Sequence, residues 1–364
     1  MSEVPGLQEL PADIVSLADY ERHARRILDP NARAYFRATA GDGLTDRANR
    51  QAWDAIALLP RVLRPLAGLQ TRRTLLGREL PTPLLVAPMA LQRLAHPDGE
   101  VAMALAAAAQ GAGMVLSCQA SMPMETVARS VLPDGGRGPL WLQLYLFPDR
   151  GITLELVRRA EAAGYEALVI TVDANMRAQR AAEQRVGFKV PAGIGPVNLP
   201  PQRGTAPTEL EGLLAQAPTW DDLAWLQAQT RLPILVKGIL HPEDAGQAAR
   251  LQLAGVIVSN HGGRTLDTAA ATVQALPRVA DAVAGALPLL VDGGIRRGTD
   301  VLKALALGAQ AVLVGRAVLW ALATAGALGA AHGLRLLRDE FELAMAQCGA
   351  ASLDAIDGGL LLPR

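Results

Sequence analysis

From residue 83 onward one pattern recurs eight times: a short apolar run, then a longer amphipathic or Ala-rich stretch. The runs occupy 83–88, 114–117, 140–145, 167–173, 233–237, 255–259, 288–292 and 311–315. They lack polar–apolar alternation, as expected of parallel strands covered on both faces. Helical segments at 98–110, 153–163, 221–229, 242–251, 269–284 and 299–307 fill the gaps, several ending near Gly or ahead of Pro. Eight strands alternating with helices suit a closed parallel barrel or a doubly wound open sheet, and periodicity alone does not separate them. The segment before residue 83 reads as mainly helical, and 335–347 as a terminal helix. One long interruption, 174–219, is rich in Pro and Gly and reads as a functional loop or lid.

Bulk composition narrows the function classes. The 364 residues, half of them hydrophobic, can bury a large core. Equal numbers of basic and acidic residues, 35 each, give no global attraction to nucleic acid or anionic lipid. Two cysteines, Cys118 and Cys348, are too few for a disulfide framework and unlike a metal-ligand set, so we expect reduced thiols in a cytoplasmic protein without a metal. The first 20 residues mix acids with prolines and do not read as a secretory signal. The uncharged stretch 101–124 is broken by Gln and Gly, and 317–331 falls short of the roughly 20 apolar residues that span a membrane. We therefore expect a soluble chain.

Polar side chains fall at the ends of the apolar runs: Ser117, Gln143 with Tyr145, Thr171 with Asp173, Lys237, Ser259 with His261, and Asp292. In a parallel barrel all strand C-termini open on one face, where loops build the active site. Of the five histidines, His23, His96, His241 and His332 suit capping or surface roles. His261 differs. It lies in Ser259-Asn260-His261-Gly262-Gly263-Arg264, past a buried strand, among glycines that allow close ligand approach. An imidazole supplies a base near neutral pH, and Arg264 can hold a carboxylate beside it. Spacing alone leaves a structural turn open. Asp292-Gly293-Gly294-Ile295-Arg296-Arg297-Gly298 leads into a helix and, with Gly315-Arg316 after the next strand, suits a phosphate. The alternative is a pair of tight turns with solvated arginines. Lys237 at a buried strand end is costly without negative charge beside it, which an anionic cofactor or intermediate would supply.

Taken in order along nearly the whole chain, these blocks resemble the FMN-dependent 2-hydroxy acid oxidase and dehydrogenase family, which includes glycolate oxidase, lactate oxidase and mandelate dehydrogenase. The match is carried by Ala87-Pro88-Met89-Ala90, Ala95-His96-Pro97-Asp98-Gly99-Glu100, Gln143-Leu144-Tyr145, Thr171-Val172-Asp173, Leu235-Val236-Lys237-Gly238 and the two glycine-rich blocks at 259–264 and 292–300. The resemblance implies an α/β fold, a (β/α)8 TIM barrel in one domain (1–364), with an N-terminal helical extension (1–82), the barrel (83–325), a long loop after strand four and a C-terminal helical tail (326–364). It implies FMN as cofactor. Pro88, Met89 and Ala90 would pack on the ring, Ser117, Gln143, Thr171, Tyr145 and Lys237 would meet its edge, Ser259 and Asp292 the ribityl chain, and Gly293, Gly294, Arg296, Gly315 and Arg316 the phosphate. It further implies His261 as proton acceptor, Asp173 as stabiliser of its imidazolium, Lys237 and Tyr145 as catalytic partners, and Tyr20, Tyr145, Arg180, His261 and Arg264 as substrate ligands.

The expected reaction is oxidation of a small L-2-hydroxy acid to the 2-keto acid, with oxygen as electron acceptor and hydrogen peroxide as product. The alternative is a dehydrogenase passing electrons to a quinone or other carrier. Ala90 leans toward the oxidase, because glycine there accompanies dehydrogenase members. An FMN barrel isomerase predicts no substrate-driven bleaching of flavin, and a non-catalytic phosphate-binding barrel predicts that His261→Ala changes nothing. Two departures bear on substrate choice: Arg177 stands where an apolar residue is usual, and Gln119 stands where glycolate oxidases carry tryptophan. A homo-oligomer, tetramer or octamer, is expected from the resemblance, with no membrane insertion in the 180–237 region.

Overall fold

Eight parallel strands close into a barrel in the computed structural model, which describes residues 9–174, 176, 180–200 and 210–362. Three helices come first, α1 (Leu17–Ile27), α2 (Pro30–Arg37) and α3 (Leu44–Asp54). An antiparallel ribbon of β1 (Arg73–Leu75) and β2 (Arg78–Leu80) follows. The barrel strands are β3 (Leu84–Val86), β4 (Gly113–Ser117), β5 (Leu140–Leu144), β6 (Leu168–Thr171), β7 (Ile234–Ile239), β8 (Gly255–Val258), β9 (Leu289–Val291) and β10 (Ala311–Val314). Strand β10 pairs with β3 and closes the ring, so the open-sheet alternative is excluded. Every apolar run read from the sequence forms one of these strands.

Around the barrel lie α4 (Gly99–Ala109), α5 (Met124–Val131), α6 (Arg150–Ala163), α7 (Ala181–Arg185), α8 (Leu210–Ala215), α9 (Trp220–Gln227), α10 (Pro242–Arg250), α11 (Thr272–Val283), α12 (Gly298–Ala306) and α13 (Arg316–Gln347). Helix α5 was not expected, and α7 and α8 fall inside the long interruption. The terminal helical region begins at Arg316 rather than at 335, and it bends where Ala325 and Gly326 leave helical geometry. By length and composition α13 could cross a membrane, but 78% of its most apolar window is buried within the fold against α1, α4 and α12.

Side-chain alternation along each strand divides the core in two. Leu85, Val115, Trp141, Val169, Leu235, Ile257, Leu290 and Leu313 point inward and form one cluster inside the barrel. Their neighbours, such as Val86, Leu116, Leu142 and Ile170, face the helices. Leu75 and Leu80 of the ribbon join the inner cluster, so the ribbon plugs one end of the barrel. Each fully buried Leu or Ile contributes roughly 1.5–3 kcal/mol. Two residues past six of these eight inward positions the side chains are Ser117, Gln143, Thr171, Lys237, Ser259 and Asp292, with Ala87 and Gly315 past the other two. In-register pairs such as Ser117 with Gln143 and Thr171 with Lys237 make them one polar tier at the C-terminal mouth.

Candidate active site

This tier floors a cavity of about 370 Å³, within the range of small-ligand pockets. Of the residues singled out from the sequence, Pro88, Met89, Ala90, Ser117, Gln143, Tyr145, Thr171, Arg180, Lys237, His261, Arg264, Asp292, Gly293, Gly294, Arg296, Gly315 and Arg316 all line it. Asp173 and Ser259 stand behind the wall, bonded to His261 and Lys237.

His261 follows β8 at φ 56°, with Gly262 and Gly263 also left-handed at 63° and 74°. Three consecutive residues in that region make a sharp reversal that only a glycine-rich sequence tolerates. The loop is pinned by a reciprocal amide pair: Asn49 Nδ2 donates to Asn260 Oδ1 at 2.9 Å, and Asn260 Nδ2 to Asn49 Oδ1 at 2.8 Å. His261 Nδ1 lies 3.0 Å from Asp173 Oδ1. A carboxylate there calls for the Nδ1–H tautomer, which leaves Nε2 as an acceptor. Burial opposes charge on Asp173, yet His261 and Lys237 hold its carboxyl below the usual range. Gly238, at φ 110°, makes room for it, since a Cβ there would sit 2.6 Å from Asp173 Cβ.

Lys237 Nζ donates to Ser259 Oγ at 2.8 Å and lies 3.0 Å from Asp292 Oδ2. Burial alone would lower its pKa; Asp292 and Asp173 outweigh that and raise it, so the ammonium stays charged. The Tyr145 phenol is pushed up by burial and remains a donor at neutral pH. Arg264 is lowered to about 10, first by burial and then by Arg180, and still carries its charge at pH 7. Arg180 Nη1 donates to Glu183 Oε1 at 3.1 Å.

At the other end, Arg316 Nη2 donates to Asp46 Oδ1 and to the Gly262 carbonyl, each at 2.6 Å. Arg296 Nη1 donates to Glu21 Oε2 at 2.7 Å, and Glu21 also pairs with Arg25 and Arg37. Gly293 and Gly294 have φ of 93° and 82°, and a Cβ on either would press on Thr272, Asn49 or Trp53. Gly298 and Arg316 open helices α12 and α13 beside them, which adds the partial positive charge of two helix N-termini.

One expectation is corrected. Tyr20 does not reach the cavity: it is fully buried, and its phenol sits 2.8 Å from His332 Nδ1. With Leu17 and Ala24 it lies on the buried stripe of α1, packed against α13. That i, i+3, i+7 spacing was the available signal. A second tyrosine on the wall, besides Tyr145, is Tyr35 at the end of α2, and nothing in its local sequence marked it. Asp46, Arg47 and Arg50 of α3 also line the cavity unanticipated. Gln119 lines it as well, whereas Arg177 lies outside the described residues.

A flat heterocycle with a polar edge and a phosphate tail fits these residues. Buried Gln143 Nε2 and Asp292 Oδ1 lack partners within the protein, and buried polar groups require them. Gln143 amide, Ser117 and Thr171 hydroxyls and Lys237 ammonium form a hydrogen-bonding edge, while the glycine backbone with Arg296 and Arg316 makes an anion cradle. Such a barrel and site define a flavin mononucleotide-binding oxidoreductase. The chain belongs to the FMN-dependent dehydrogenase family, whose model matches residues 24–362. It is 46% identical over 362 residues to L-lactate oxidase of Alicycliphilus denitrificans, covering 97% of this chain and 98% of that one. Glycolate oxidase 1 of Zea mays is 43% identical, with 94% of each chain covered. A crystal structure of mandelate oxidase with (S)-2-phenylpropionate superposes with a TM-score of 0.87 at 40% identity, covering 96% of this chain and 98% of that one. FMN is the cofactor.

Proposed function

We propose that this enzyme oxidises a small L-2-hydroxy acid to the 2-keto acid and returns the electrons to dioxygen as hydrogen peroxide. The observation that carries the reading is the His261–Asp173 pair opening into the same cavity as Arg180 and Arg264. Bound FMN supplies a two-electron acceptor that dioxygen regenerates. Atoms balance: the substrate loses two electrons and two protons, and one oxygen molecule gains them.

The two guanidiniums hold the substrate carboxylate, and a planar fork suits a bidentate pair. His261 Nε2 takes a proton from the carbinol group. Asp173 stabilises the resulting imidazolium across 3.0 Å, in a setting where burial strengthens the attraction. Tyr145 donates its hydroxyl to a substrate oxygen. Lys237 keeps a fixed positive charge where negative charge develops beside the tier. Ala90 on the wall and the oxidase names of the relatives support oxygen as acceptor over a quinone.

The test is anaerobic addition of lactate, glycolate and mandelate to the yellow enzyme, followed by air. Bleaching by at least one acid and rapid recolouring with one peroxide per turnover are expected. No bleaching by any 2-hydroxy acid would remove the substrate class, and slow recolouring would favour a carrier-linked dehydrogenase. We read the enzyme further as a cytoplasmic homo-oligomer, a tetramer or octamer, acting away from membranes. Support comes from the two buried free thiols, Cys118 and Cys348, and from the solvent-facing Val62–Leu63 tip, an apolar surface of the kind subunit contacts cover. Light scattering of the purified protein tests the assembly.

A further inference from the structure

Beyond Arg180, the segment after β6 turns through α7, and its end is set by local sequence. Gly187 adopts φ 59°; its N–H bonds the Gln184 carbonyl at 3.0 Å, and the Phe188 N–H bonds the Glu183 carbonyl at 2.9 Å. These are the paired bonds of a Schellman cap, which fixes how the chain leaves the helix. The cap lays the Phe188 ring over Tyr35, with centroids 5.0 Å apart and planes inclined by 18°. At the next residue, Lys189 N–H donates to Asn31 Oδ1 at 3.2 Å, and Asn31 Nδ2 donates back to the Lys189 carbonyl at 2.8 Å. Asn31 and Tyr35 are four apart on α2 and share a face.

The C-terminal end of α2 is also gripped by Arg264. Arg264 Nη1 donates to the carbonyls of Tyr35, Phe36 and Ala38 at 3.0, 3.2 and 2.8 Å, and its guanidinium carbon lies 5.5 Å from the Tyr35 ring centroid. A cation over helix-terminal carbonyls is a favourable cap. Residues 188–189 and Arg264 therefore both clamp helix α2. Tyr35 lies between them, its ring stacked on Phe188 and its carbonyl bonded to Arg264. Phe188 itself is not on the cavity wall.

We propose that Phe188 is a positioning residue for the carboxylate end of the substrate, acting through Tyr35 and α2 on Arg264. The inference rests on the reading of the cavity as a 2-hydroxy acid site. Loss of the ring removes the stacked neighbour of Tyr35 and weakens the 188–189 clamp on α2, of which only the Lys189–Asn31 bonds remain. The carbonyl cradle of Arg264 then loosens, while the His261–Asp173 pair and the phosphate end are untouched. Ligand affinity should fall and the chemical step should persist.

Phe188→Ala is expected to raise the Kd of a 2-keto acid, read from flavin absorbance with pyruvate, glyoxylate and phenylglyoxylate, by about tenfold. KM should rise in parallel, kcat should stay within about threefold, and FMN affinity measured by fluorescence should not change. Phe188→Tyr, which keeps the stack, should restore wild-type values. If the alanine variant fails to fold, Phe188→Leu keeps apolar volume, removes the ring and carries the same expectation. Unchanged keto-acid affinity in the ring-less variant overturns the inference, as does equal loss in Phe188→Tyr. A wild-type enzyme that binds none of the three keto acids overturns the functional reading, and this inference with it.

Discussion

His261→Asn removes the proton acceptor and keeps a polar side chain of similar reach. Turnover should fall by about 10²–10⁴-fold for the lost general base, and further if substrate contacts go with it, while the variant stays yellow. Near-wild-type turnover would place the base elsewhere. Glu21 offers a pH test on the cofactor side. Burial works against its charge, but Arg296, Arg25 and Arg37 prevail and lower it to about 2. A depressed carboxyl contributes stability that is complete above its unfolded value, about 4.3, and lost as pH falls toward 2. Wild type and Glu21→Gln should therefore converge in stability across that window, in chemical denaturation followed at several pH values. A constant gap would show that Glu21 acts by shape alone. The catalytic side chains were legible because each lies in the C-terminal half of a strand or within three residues of its end. Tyr35 was not, because its place depends on how α2 is clamped, a tertiary fact absent from its neighbours' identities.

Among the elements, α13 shows how a single residue sets a course. Gly326 has φ 55° and ψ −141°, a region essentially reserved for glycine, and a Cβ there would lie 3.0 Å from the His96 ring. Gly326→Ala should destabilise the fold by about 1–3 kcal/mol in a denaturant titration. An unchanged midpoint would mean that the bend is not required. His96 is itself lowered, chiefly by burial against the weaker pull of Asp98. A base kept neutral in the fold and free to charge when unfolded erodes stability as pH drops through about 6.5. Replacing His96 by Gln should flatten that part of the profile. The barrel strands were readable as apolar runs with fixed spacing, whereas α7, of five residues, is too short for periodicity to announce. The kink was hidden because Ala-rich sequence reads as helix on either side of Gly326. Closure of the sheet was likewise invisible to periodicity and came only with the resemblance.

For the molecule as a whole, cofactor and fold are linked. FMN binds only the assembled mouth, so apoprotein should melt several degrees below holoprotein, with about 2.7 kcal/mol gained at a hundredfold excess over Kd. Coincident melting curves, with FMN demonstrably absent from one sample, would deny that linkage. The partition of the cavity has a further consequence. Its base is built from hydrogen-bonded strands whose register cannot shift by one residue without turning the tier outward, but part of its wall is Tyr35 and Phe36 of α2, backed by the stretch beyond Arg180, and no strand constrains either piece. Diversification of substrate range, by selection or by design, is thus channelled into two short exchangeable pieces. Because Phe188 and Lys189 grip Tyr35 and Asn31, those pieces must be transplanted together.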